Sequence, residues 1–529
     1  MADLNHKIER ENDVTKIKNS SHPRKVVVAG PGTGKSFLFQ ELIKDKKLKG
    51  KKDFVAITFI GKLGDALADD LCGLAKTFTM HGFARKLFLE NYEGWVYYPN
   101  IYDLIKVDLK KEGITTFEIG DSNYRKKSLH YKAVGDGDIV YYVVQMCKLE
   151  NSKIPKHDLI LVDEFQDFNE IESEFIDLLS LKNEIVIVGD DDQALYGFKG
   201  SSPLYIRKKY DAANTIFESH TLRFCSRCTE VIIKYFHNLV AAFNLNDPSK
   251  NRIQKEYIYY LPEKQKDSET NKKIHLIANC PPGMIAFKIK SELEKLTALQ
   301  KIKQVLVIGE KRSCSVILDN IAVQLQNYGF KNVDLKKSDK DSNIDQNTID
   351  AYKFIAKDNQ SLVGWRILNN PTTKLEKATH IKNSITLNAI INETPSSLER
   401  IKDTDIDSLI TKIEKKLINE KAVRKGLLFK EIKSKNINLS RPLSNLEITV
   451  CGILNSKGLG ADIVFVVGFD QGKLPLKTKA EDSEVYQMLV ALTRAKKRIY
   501  FISTVGKKTS SFLDCIDKDD LDIKNLSIS

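Results

Sequence analysis

The sequence lacks long apolar runs, and its opening residues do not have the pattern of a secretory leader. No stretch approaches the ~18 consecutive apolar residues of a transmembrane helix, and the opening residues, MADLNHKIERENDVTK, are polar and charged without the apolar centre of a signal peptide. These absences argue against an integral membrane protein and against export. We therefore expect a cytoplasmic protein that has no membrane partner.

Cysteine is scarce and scattered. The chain contains 8 cysteines, and the one close pair, Cys225 and Cys228, has no second pair or histidine cluster at metal-ligand spacing. The pattern predicts reduced structural thiols and argues against disulfides and against a zinc site. Internal repeats and low-complexity segments are also absent, which leaves ordinary globular domains as the expectation.

The chain has enough length and apolar content for several folded cores. Its 529 residues suggest about three or four domains, and 42% of the residues are hydrophobic against 29% charged. The formal net charge of +13 favours polyanions and predicts that any nucleic-acid affinity falls as salt is added. Charge alone does not identify the partner, because a lysine-rich composition also arises from codon bias.

Short apolar, β-branched runs predict two α/β cores. Continuous runs of this kind are typical of strands buried on both faces of a parallel sheet. In the first core they fall at residues 25–29, 53–59, 158–162 and 184–188, with helical periodicity at 36–43 and 171–181. In the second core, which begins near Thr215, they fall at 274–278, 304–308, 446–451, 462–467 and 498–503.

Other segments predict connections and an insertion. The polar stretches 246–273 and 335–346 indicate loops or linkers. The block 343–438 has mainly helical periodicity and interrupts the second core, so it predicts an inserted helical subdomain. Two α/β cores in one chain imply a cleft between them.

A glycine-rich loop follows the first predicted strand and precedes an apolar helix. This arrangement lets successive backbone N–H groups and the helix N-terminus face a triphosphate, while a lysine adds charge and a serine hydroxyl reaches Mg²⁺. The alternative is a chance glycine-rich turn. The predicted nucleotide-binding residues here are Gly30, Pro31, Gly32, Thr33, Gly34, Lys35, Ser36 and Phe37.

Carboxylates and an amide follow two more predicted strands. Asp163 and Glu164 emerge where the strand LILV ends, beside the glycine-rich loop in a parallel sheet. We expect Asp163, with Ser36, to hold Mg²⁺, and Glu164 to orient and deprotonate the attacking water. Gln193, after the strand EIVIV, is expected near the γ-phosphate, although GDDDQ alone is typical of an ordinary acidic turn.

These motifs resemble those of the UvrD, Rep and PcrA family of superfamily 1 helicases. The matching segments are AGPGTGKS, TFIGKLGDAL, TMHGFA, DEFQD, GDDDQALYGFKG, LRFCSRC, ILNSKGLGADIVFV and VALTRAKK, in the family's order. The resemblance implies two RecA-like P-loop NTPase domains, with parallel sheets flanked by helices and small helical insertions. ATP would bind in the cleft, and single-stranded DNA would cross the tops of both domains.

The resemblance also assigns roles to individual residues. Arg227 and Arg494 occupy the positions of arginines that complete the ATP site, and such a group is worth about 10³–10⁵ in rate. Lys199 and Gly458 are assigned to the nucleotide. The expected DNA contacts are base stacking by Phe59, Tyr196 and Phe198, with core packing as the alternative for each, and phosphate contacts by Lys62, Thr79 and His81.

Four departures from the family pattern limit which residue roles can be transferred from the family to this chain. No glutamine precedes Gln40, so the upstream glutamine that reads adenine is missing. Lys199 replaces an arginine and loses its bidentate fork. Leu454 and Gly460 replace a histidine and a glutamate, which bears on the coupling between nucleotide and DNA.

The resemblance divides the chain into six segments. They are 1–88 and 157–214 for domain 1A, 89–156 for the inserted helical subdomain 1B, 215–342 and 441–529 for domain 2A, and 343–440 for a reduced inserted helical subdomain 2B. Both insertions are small for the family, and the 35 residues after Arg494 are too few for a fused nuclease domain. Such compact chains resemble the UvrD-like subunits of bacterial anti-phage systems such as Gabija, which act beside a separate nuclease.

The leading interpretation is an ATP-hydrolysing 3′ to 5′ single-stranded DNA translocase or helicase, in anti-phage defence or DNA repair. Its substrate would be single-stranded or 3′-tailed DNA. The alternative is a DNA-stimulated ATPase that senses DNA and signals to a partner nuclease with little unwinding of its own. A nucleotide-binding scaffold without hydrolysis is disfavoured, since Lys35, Asp163, Glu164, Gln193 and Arg494 are all present.

Overall fold

The computed structural model of the chain describes residues 2–59, 61–211, 215–245, 251–335, 346–358, 360–369, 443 and 445–525. The chain folds into two compact units. The first unit comprises residues 1–79, 156–337 and 434–529, and the second comprises 80–155 and 338–433. The predicted α/β class with large parallel sheets is confirmed. The division into six segments stays a prediction.

The strands are short and mostly buried. In chain order they are β1 (Arg24–Ala29), β2 (Phe54–Thr58), β3 (Lys76–Thr79), β4 (Val96–Tyr97), β5 (Ala133–Val134), β6 (Leu159–Val162), β7 (Ile185–Gly189), β8 (Glu218–Leu222), β9 (Phe224–Cys225), β10 (Ile258–Tyr259), β11 (Ile274–Cys280), β12 (Gln304–Gly309), β13 (Asn332–Leu335), β14 (Glu447–Gly452), β15 (Ala461–Val467), β16 (Ala495–Thr504) and β17 (Leu521–Asn525).

The helices cover the sheets and form most of the second unit. In chain order they are α1 (Ala2–Asn19), α2 (Lys35–Leu48), α3 (Gly61–Leu71), α4 (Met80–Asn91), α5 (Ile101–Lys111), α6 (Ser122–Tyr131), α7 (Ile139–Leu149), α8 (Glu170–Ser180), α9 (Leu204–Tyr210), α10 (Glu230–Ala242), α11 (Leu261–Thr270), α12 (Ile285–Leu299), α13 (Lys311–Asn327), α14 (Gln346–Lys357), α15 (Leu362–Asn369) and α16 (Asp482–Leu492). Among these described helices, none is long and apolar enough to cross a membrane.

The first sheet of the first unit carries the predicted nucleotide motifs. Its six strands lie in the order β3-β2-β6-β7-β1-β8, and every neighbouring pair is parallel. Strands β2, β6 and β7 are buried along their whole length, as their continuous apolar runs predict. Because all carboxyl ends meet at one edge, the residues that follow β1, β6 and β7 converge there.

The second sheet of the same unit has seven parallel strands in the order β13-β14-β12-β15-β16-β11-β17. One face packs against α12 and α13 through a continuous apolar core. All nine predicted strands of the two cores are present, with their ends shifted by up to three residues.

The predicted loop at 246–273 is wrong for much of its length. Residues 261–270 form α11, with Pro262 in its first turn, and β10 pairs in parallel with β9. Polar residues of this segment, including Lys264 and Ser268, are buried and hydrogen-bonded, so hydrophobic periodicity gives no sign of the helix. Of the other predicted loop, residues 336–345 lie outside the described residues.

The second unit is mainly helical, with β4 and β5 forming a two-residue parallel ladder. Its core joins α5 and α6 to α14 and α15 through apolar and aromatic side chains. At its edge Asp108 accepts a hydrogen bond from the Tyr131 hydroxyl at 2.5 Å and pairs with Arg366 at 2.6 Å. The predicted helical block 343–438 is described only at α14 and α15; the rest of it lies outside the described residues.

Candidate nucleotide site and nucleic-acid interface

The glycine-rich loop leaves β1 and enters α2 through two left-handed backbone conformations. Gly32 has φ +70° and Gly34 has φ +92°, values that side chains other than glycine rarely adopt. Thr33 is buried and its hydroxyl donates to the carbonyl of Gly30 at 2.8 Å, which holds the turn closed. No side chain of the described residues caps α2, so its first N–H groups are available to an anion.

A cavity of about 410 Å³ opens beside this loop. It is lined by residues of both α/β cores, including Gly34, Lys35, Phe37, Asp163, Arg227 and Gly458. Phe37 is half exposed, while Pro31 is buried within the loop itself and does not reach the cavity. The predicted loop and the predicted second-core arginine therefore face one space.

Two adjacent carboxylates behave differently in this cavity. Lys35 Nζ donates to Glu164 Oε1 at 2.9 Å, and Gln166 donates to Glu164 Oε2 at 2.6 Å. Burial opposes the charge of Glu164, yet Lys35 and Lys457 hold its pKa well below the usual range. Burial, reinforced by the charge of Glu164, raises the pKa of Asp163 to about 6.

The oxygen atoms of Asp163 and Ser36 fit a divalent cation. Asp163 Oδ1 is buried and has no hydrogen-bond partner among the described residues, which is costly unless a ligand satisfies it. Ser36, the other predicted ligand, lines the same cavity, and its hydroxyl donates to Asp70 Oδ2 at 2.6 Å. Hard oxygen donors of this kind suit Mg²⁺.

Gln193 links the first core to Arg494. Its Nε2 donates to Asp190 Oδ2 at 2.5 Å, and its Oε1 accepts from Arg494 Nη2 at 3.3 Å. Arg494 is buried and also donates to the carbonyls of Leu459 and Val490, each at 3.0 Å. Burial and the nearby charge of Arg227 lower the pKa of the Arg494 guanidinium.

Arg227 lies directly against the glycine-rich loop. A Cβ built on Gly32 would lie 2.3 Å from Arg227 Cβ, and one built on Gly460 would lie 3.7 Å from Arg227 Nε. Among the described residues, no carboxylate lies within 4.0 Å of the guanidinium of Arg227 or of Arg494. Arg227 therefore contacts the phosphate loop of the first core, and Arg494 contacts Gln193. Neither guanidinium has a carboxylate partner among the described residues.

Lys457 is a residue that the sequence motifs contain but that the predicted site omits. Its buried ammonium contacts Asp167, lies 3.4 Å from Glu164 Oε2 and donates to the Gln193 carbonyl at 2.9 Å. It comes from the loop after β14, so it ties the second core to the carboxylates of the first. The signal was its place in the SKGLG motif, next to Gly458, which lines the cavity with φ +84°.

The predicted DNA-stacking residues form one aromatic group, of which one member is open. Phe59 and Tyr196 are buried, with ring centroids 5.0 Å apart, whereas Phe198 is 66% exposed and lies 6.0 Å from Tyr196. Lys199, predicted at the nucleotide, instead has its ammonium 5.6 Å from the centroids of the Phe59 and Tyr196 rings and does not line the cavity. The two buried rings support the loop that exposes Phe198.

The predicted phosphate contacts are less informative. Thr79 ends β3 in the first unit, and His81 lies in the first turn of α4 in the second unit; both are half-buried. The side chain of Lys62 lies outside the described residues. Gly30 belongs to the loop but lies against the ring of Tyr257 rather than lining the cavity.

Comparison with known families covers almost the whole chain. Residues 14–199 match the AAA domain, and residues 211–506 match the UvrD-like helicase C-terminal domain. The chain belongs to the UvrD-like helicases. The predictions of two RecA-like domains and of an ATP-dependent DNA helicase are confirmed for this UvrD-like helicase.

Several curated relatives share this relationship at low identity. A probable DNA helicase II homolog of Mycoplasma genitalium is 23% identical, covering 95% of this chain and 86% of that protein. A homolog from Mycoplasma capricolum is 22% identical over 75% of this chain and 64% of that protein. One from Rickettsia conorii is 24% identical over 51% and 48%, respectively. The chain thus matches less than two thirds of the length of two of these three relatives.

Proposed function

We propose that this UvrD-like helicase is a motor that hydrolyses ATP between its two α/β cores and moves 3′ to 5′ along single-stranded DNA. The observation that carries the proposal is the set of charges at one cavity, lined by Lys35, Glu164 and Arg227, with Lys457 and Arg494 buried behind it. Glu164 is held by Lys35 and Lys457, while Arg227 and Arg494 lack carboxylate partners among the described residues. The direction of movement rests on the family resemblance. The six-segment domain arrangement and the roles of the site residues belong to the same proposal.

Ser36 and Asp163 are the residues that would hold Mg²⁺. The buried Asp163 oxygen, which has no partner within the described ranges, and the hydroxyl of Ser36 supply the donor chemistry that this ion prefers. When bound, Mg²⁺ would neutralise charge on the phosphates. The remaining steps of hydrolysis depend on groups of the protein itself.

Lys35 would change partner when ATP binds. Its ammonium pairs with Glu164 at 2.9 Å; a triphosphate offers more negative charge and draws the ammonium toward the phosphates. Glu164 then loses a cation that lowers its pKa, so it becomes a better base. It accepts a proton from water as the water oxygen bonds to the γ-phosphorus and the bond to ADP breaks.

Arg227 and Arg494 would stabilise the charge that develops on the transferred phosphoryl group. Each is supplied by the second core, so hydrolysis requires the second core to be positioned with its arginines near the phosphates that the first core binds. Gln193 touches Arg494 through its side chain and Lys457 through its carbonyl. Loss of the γ-phosphate therefore alters contacts on both sides of the cleft, and Phe198, at the end of the same loop, is the group that would transmit the change to DNA.

ATP turnover with and without single-stranded DNA tests the catalytic assignment. Lys35→Ala and Glu164→Gln should each lose at least about 100-fold in kcat, because each removes a group acting on the reacting atoms. Lys47→Ala is the matched control, since Lys47 is an exposed lysine of the same helix α2. Turnover close to that of the unmodified protein in either site variant would refute the assignment.

Strand displacement on a 3′-tailed duplex tests movement. Unwinding that requires ATP and the 3′ tail supports the motor. DNA-stimulated hydrolysis without unwinding or translocation would instead support the alternative, a sensor that signals to a partner nuclease. The anti-phage role rests on the compact insertions alone, and it predicts a nuclease encoded in the neighbouring reading frame.

A further inference from the structure

A buried acidic triplet lies directly behind Gln193. Asp190, Asp191 and Asp192 follow β7, and all three are 0% exposed. One oxygen from each lies within 4.8 Å of the others. Three anions so close together are strongly unfavourable in a protein interior unless cations compensate them.

The compensating charge comes from residues 251–260 of the second core, which we call the strap. Lys255 Nζ lies 2.9 Å from Asp190 Oδ1 and 3.0 Å from Asp192 Oδ2, and it also contacts Asp191; its side chain is 0% exposed. Arg252 makes a bidentate pair with Asp192 at 2.8 and 2.7 Å. Lys255 thus occupies the centre that a metal ion would otherwise take.

A further cation anchors the triplet from the first core. Arg207 of α9 donates to Asp191 at 2.8 Å and to the Tyr486 hydroxyl at 3.2 Å. Three carboxylates therefore face three cations, and the cluster is neutral as a whole. Lys255 is the only one of these cations, among the described residues, that touches all three carboxylates.

A side-chain hydrogen bond links the cluster to Gln193. Asp190 gives one oxygen to Lys255 and the other to Gln193 Nε2 at 2.5 Å. A side-chain amide has its donor on one side and its acceptor on the other. With its NH₂ held by Asp190, Gln193 must present Oε1 toward Arg494, which donates to it at 3.3 Å.

The strap also contacts the phosphate loop and the strand that leads to Arg227. The ring of Tyr257 fills the space beside Gly30, where a built Cβ would lie 2.3 Å from it. Beyond it, Ile258 N–H donates at 3.0 Å to the carbonyl of Arg223, which precedes β9, and Tyr260 N–H donates at 2.9 Å to the carbonyl of Cys225, which ends β9 just before Arg227. One short segment therefore contacts the phosphate loop, the loop that carries Gln193 and the strand that leads to Arg227.

We propose that Lys255 is a positioning residue for ATP hydrolysis: its ammonium holds Asp190 so that Gln193 is oriented toward Arg494. This proposal rests on the proposed function, since it assumes turnover at this cavity. The competing view is that Lys255 only neutralises a buried cluster and stabilises the fold. The two views differ in whether turnover by the folded protein depends on Lys255.

The test uses Lys255→Met, with Lys209→Met as a matched control. Lys209 is another buried lysine of the first unit; it pairs with Asp177 and, within the described part of the chain, forms no hydrogen bond to Gln193. Both variants should lower the unfolding midpoint. Only Lys255→Met should lower kcat, by about 100-fold as expected for a catalytic group misplaced by about 1 Å, while the Kd for ADP stays within about threefold. An unchanged kcat in folded Lys255→Met would overturn the proposal.

A double-mutant cycle locates the effect. If Lys255 acts through Gln193, the variant carrying both Lys255→Met and Gln193→Ala should be no slower than Gln193→Ala alone; multiplicative losses would overturn the proposal. Should Lys255→Met not fold, Asp190→Asn decides instead, with a loss of at least about 10-fold in kcat expected and an unchanged kcat refuting. If the unmodified protein shows no DNA-stimulated ATP turnover, the proposed function has failed instead.

Discussion

Replacing Gly32 by alanine gives the sharpest single test of the arginine at the phosphate loop. Gly32 has φ +70°, so alanine there meets the backbone strain of the left-handed region, about 1–2 kcal/mol. Its new Cβ would also lie 2.3 Å from Arg227 Cβ and 2.9 Å from the Arg227 nitrogen, where ordinary contact begins at 3.4 Å. The two segments must therefore separate by about 1 Å, a displacement that lowers turnover by about 100-fold at a catalytic group.

Gly50→Ala supplies the matched control. Gly50 has φ +80°, so it carries the same strain, but nothing in the described part of the chain lies within 4 Å of its built Cβ. Both variants should lose stability in urea unfolding, Gly32→Ala more than Gly50→Ala because of the added overlap with Arg227, and only Gly32→Ala should lose ATP turnover in a steady-state phosphate-release assay. Equal turnover in the two variants would refute the close approach of Arg227 to the loop as a requirement for hydrolysis.

Three further predictions concern cation binding, DNA and stability. Because burial raises the pKa of Asp163 to about 6, protons should displace Mn²⁺ as the pH falls through that value, and calorimetric titration should find weaker binding below it than above it; a pH-independent affinity would contradict this. Phe198→Ala should weaken single-stranded DNA binding by about 1–3 kcal/mol in fluorescence anisotropy, while exposed Leu204→Ala should not. Lys457→Met should lower the free energy of unfolding by about 3–5 kcal/mol, since it leaves the buried Asp167 without its cation, while Glu164 keeps Lys35. The exposed Lys477→Met should cause no measurable change in the same urea titration.

The parts of the fold that were predictable from the sequence are those whose signal is local. The interior strands of both sheets are largely buried, so each appears as a continuous apolar run, whereas the edge strands β3, β8, β13 and β17 are partly exposed and were not predicted. The phosphate loop needs glycines at Gly32 and Gly34 because its backbone is left-handed there. Since these constraints act within a few residues, they can be recognised without knowledge of the tertiary structure.

The parts that escaped prediction depend on partners distant in the chain. The segment around Lys255 is polar and predicts a loop, yet the side chain of this lysine is fully buried because Asp190, Asp191 and Asp192 lie against it. Lys457 was seen only as part of a motif, although it completes the charge around Glu164. The sequence around a lysine does not show whether its ammonium is buried against distant carboxylates or exposed to solvent.

The neighbouring guanidinium groups of Arg227 and Arg494 bear on how the site tells its substrate from its product. Each repels the other, and the repulsion adds to burial in lowering the pKa of Arg494. A ligand gains affinity by relieving that repulsion, and it does so in proportion to the negative charge it brings near both groups. If the nucleotide binds as proposed, ATP, with one more phosphate than ADP, would relieve more of this repulsion, so the two guanidinium groups would favour ATP over ADP.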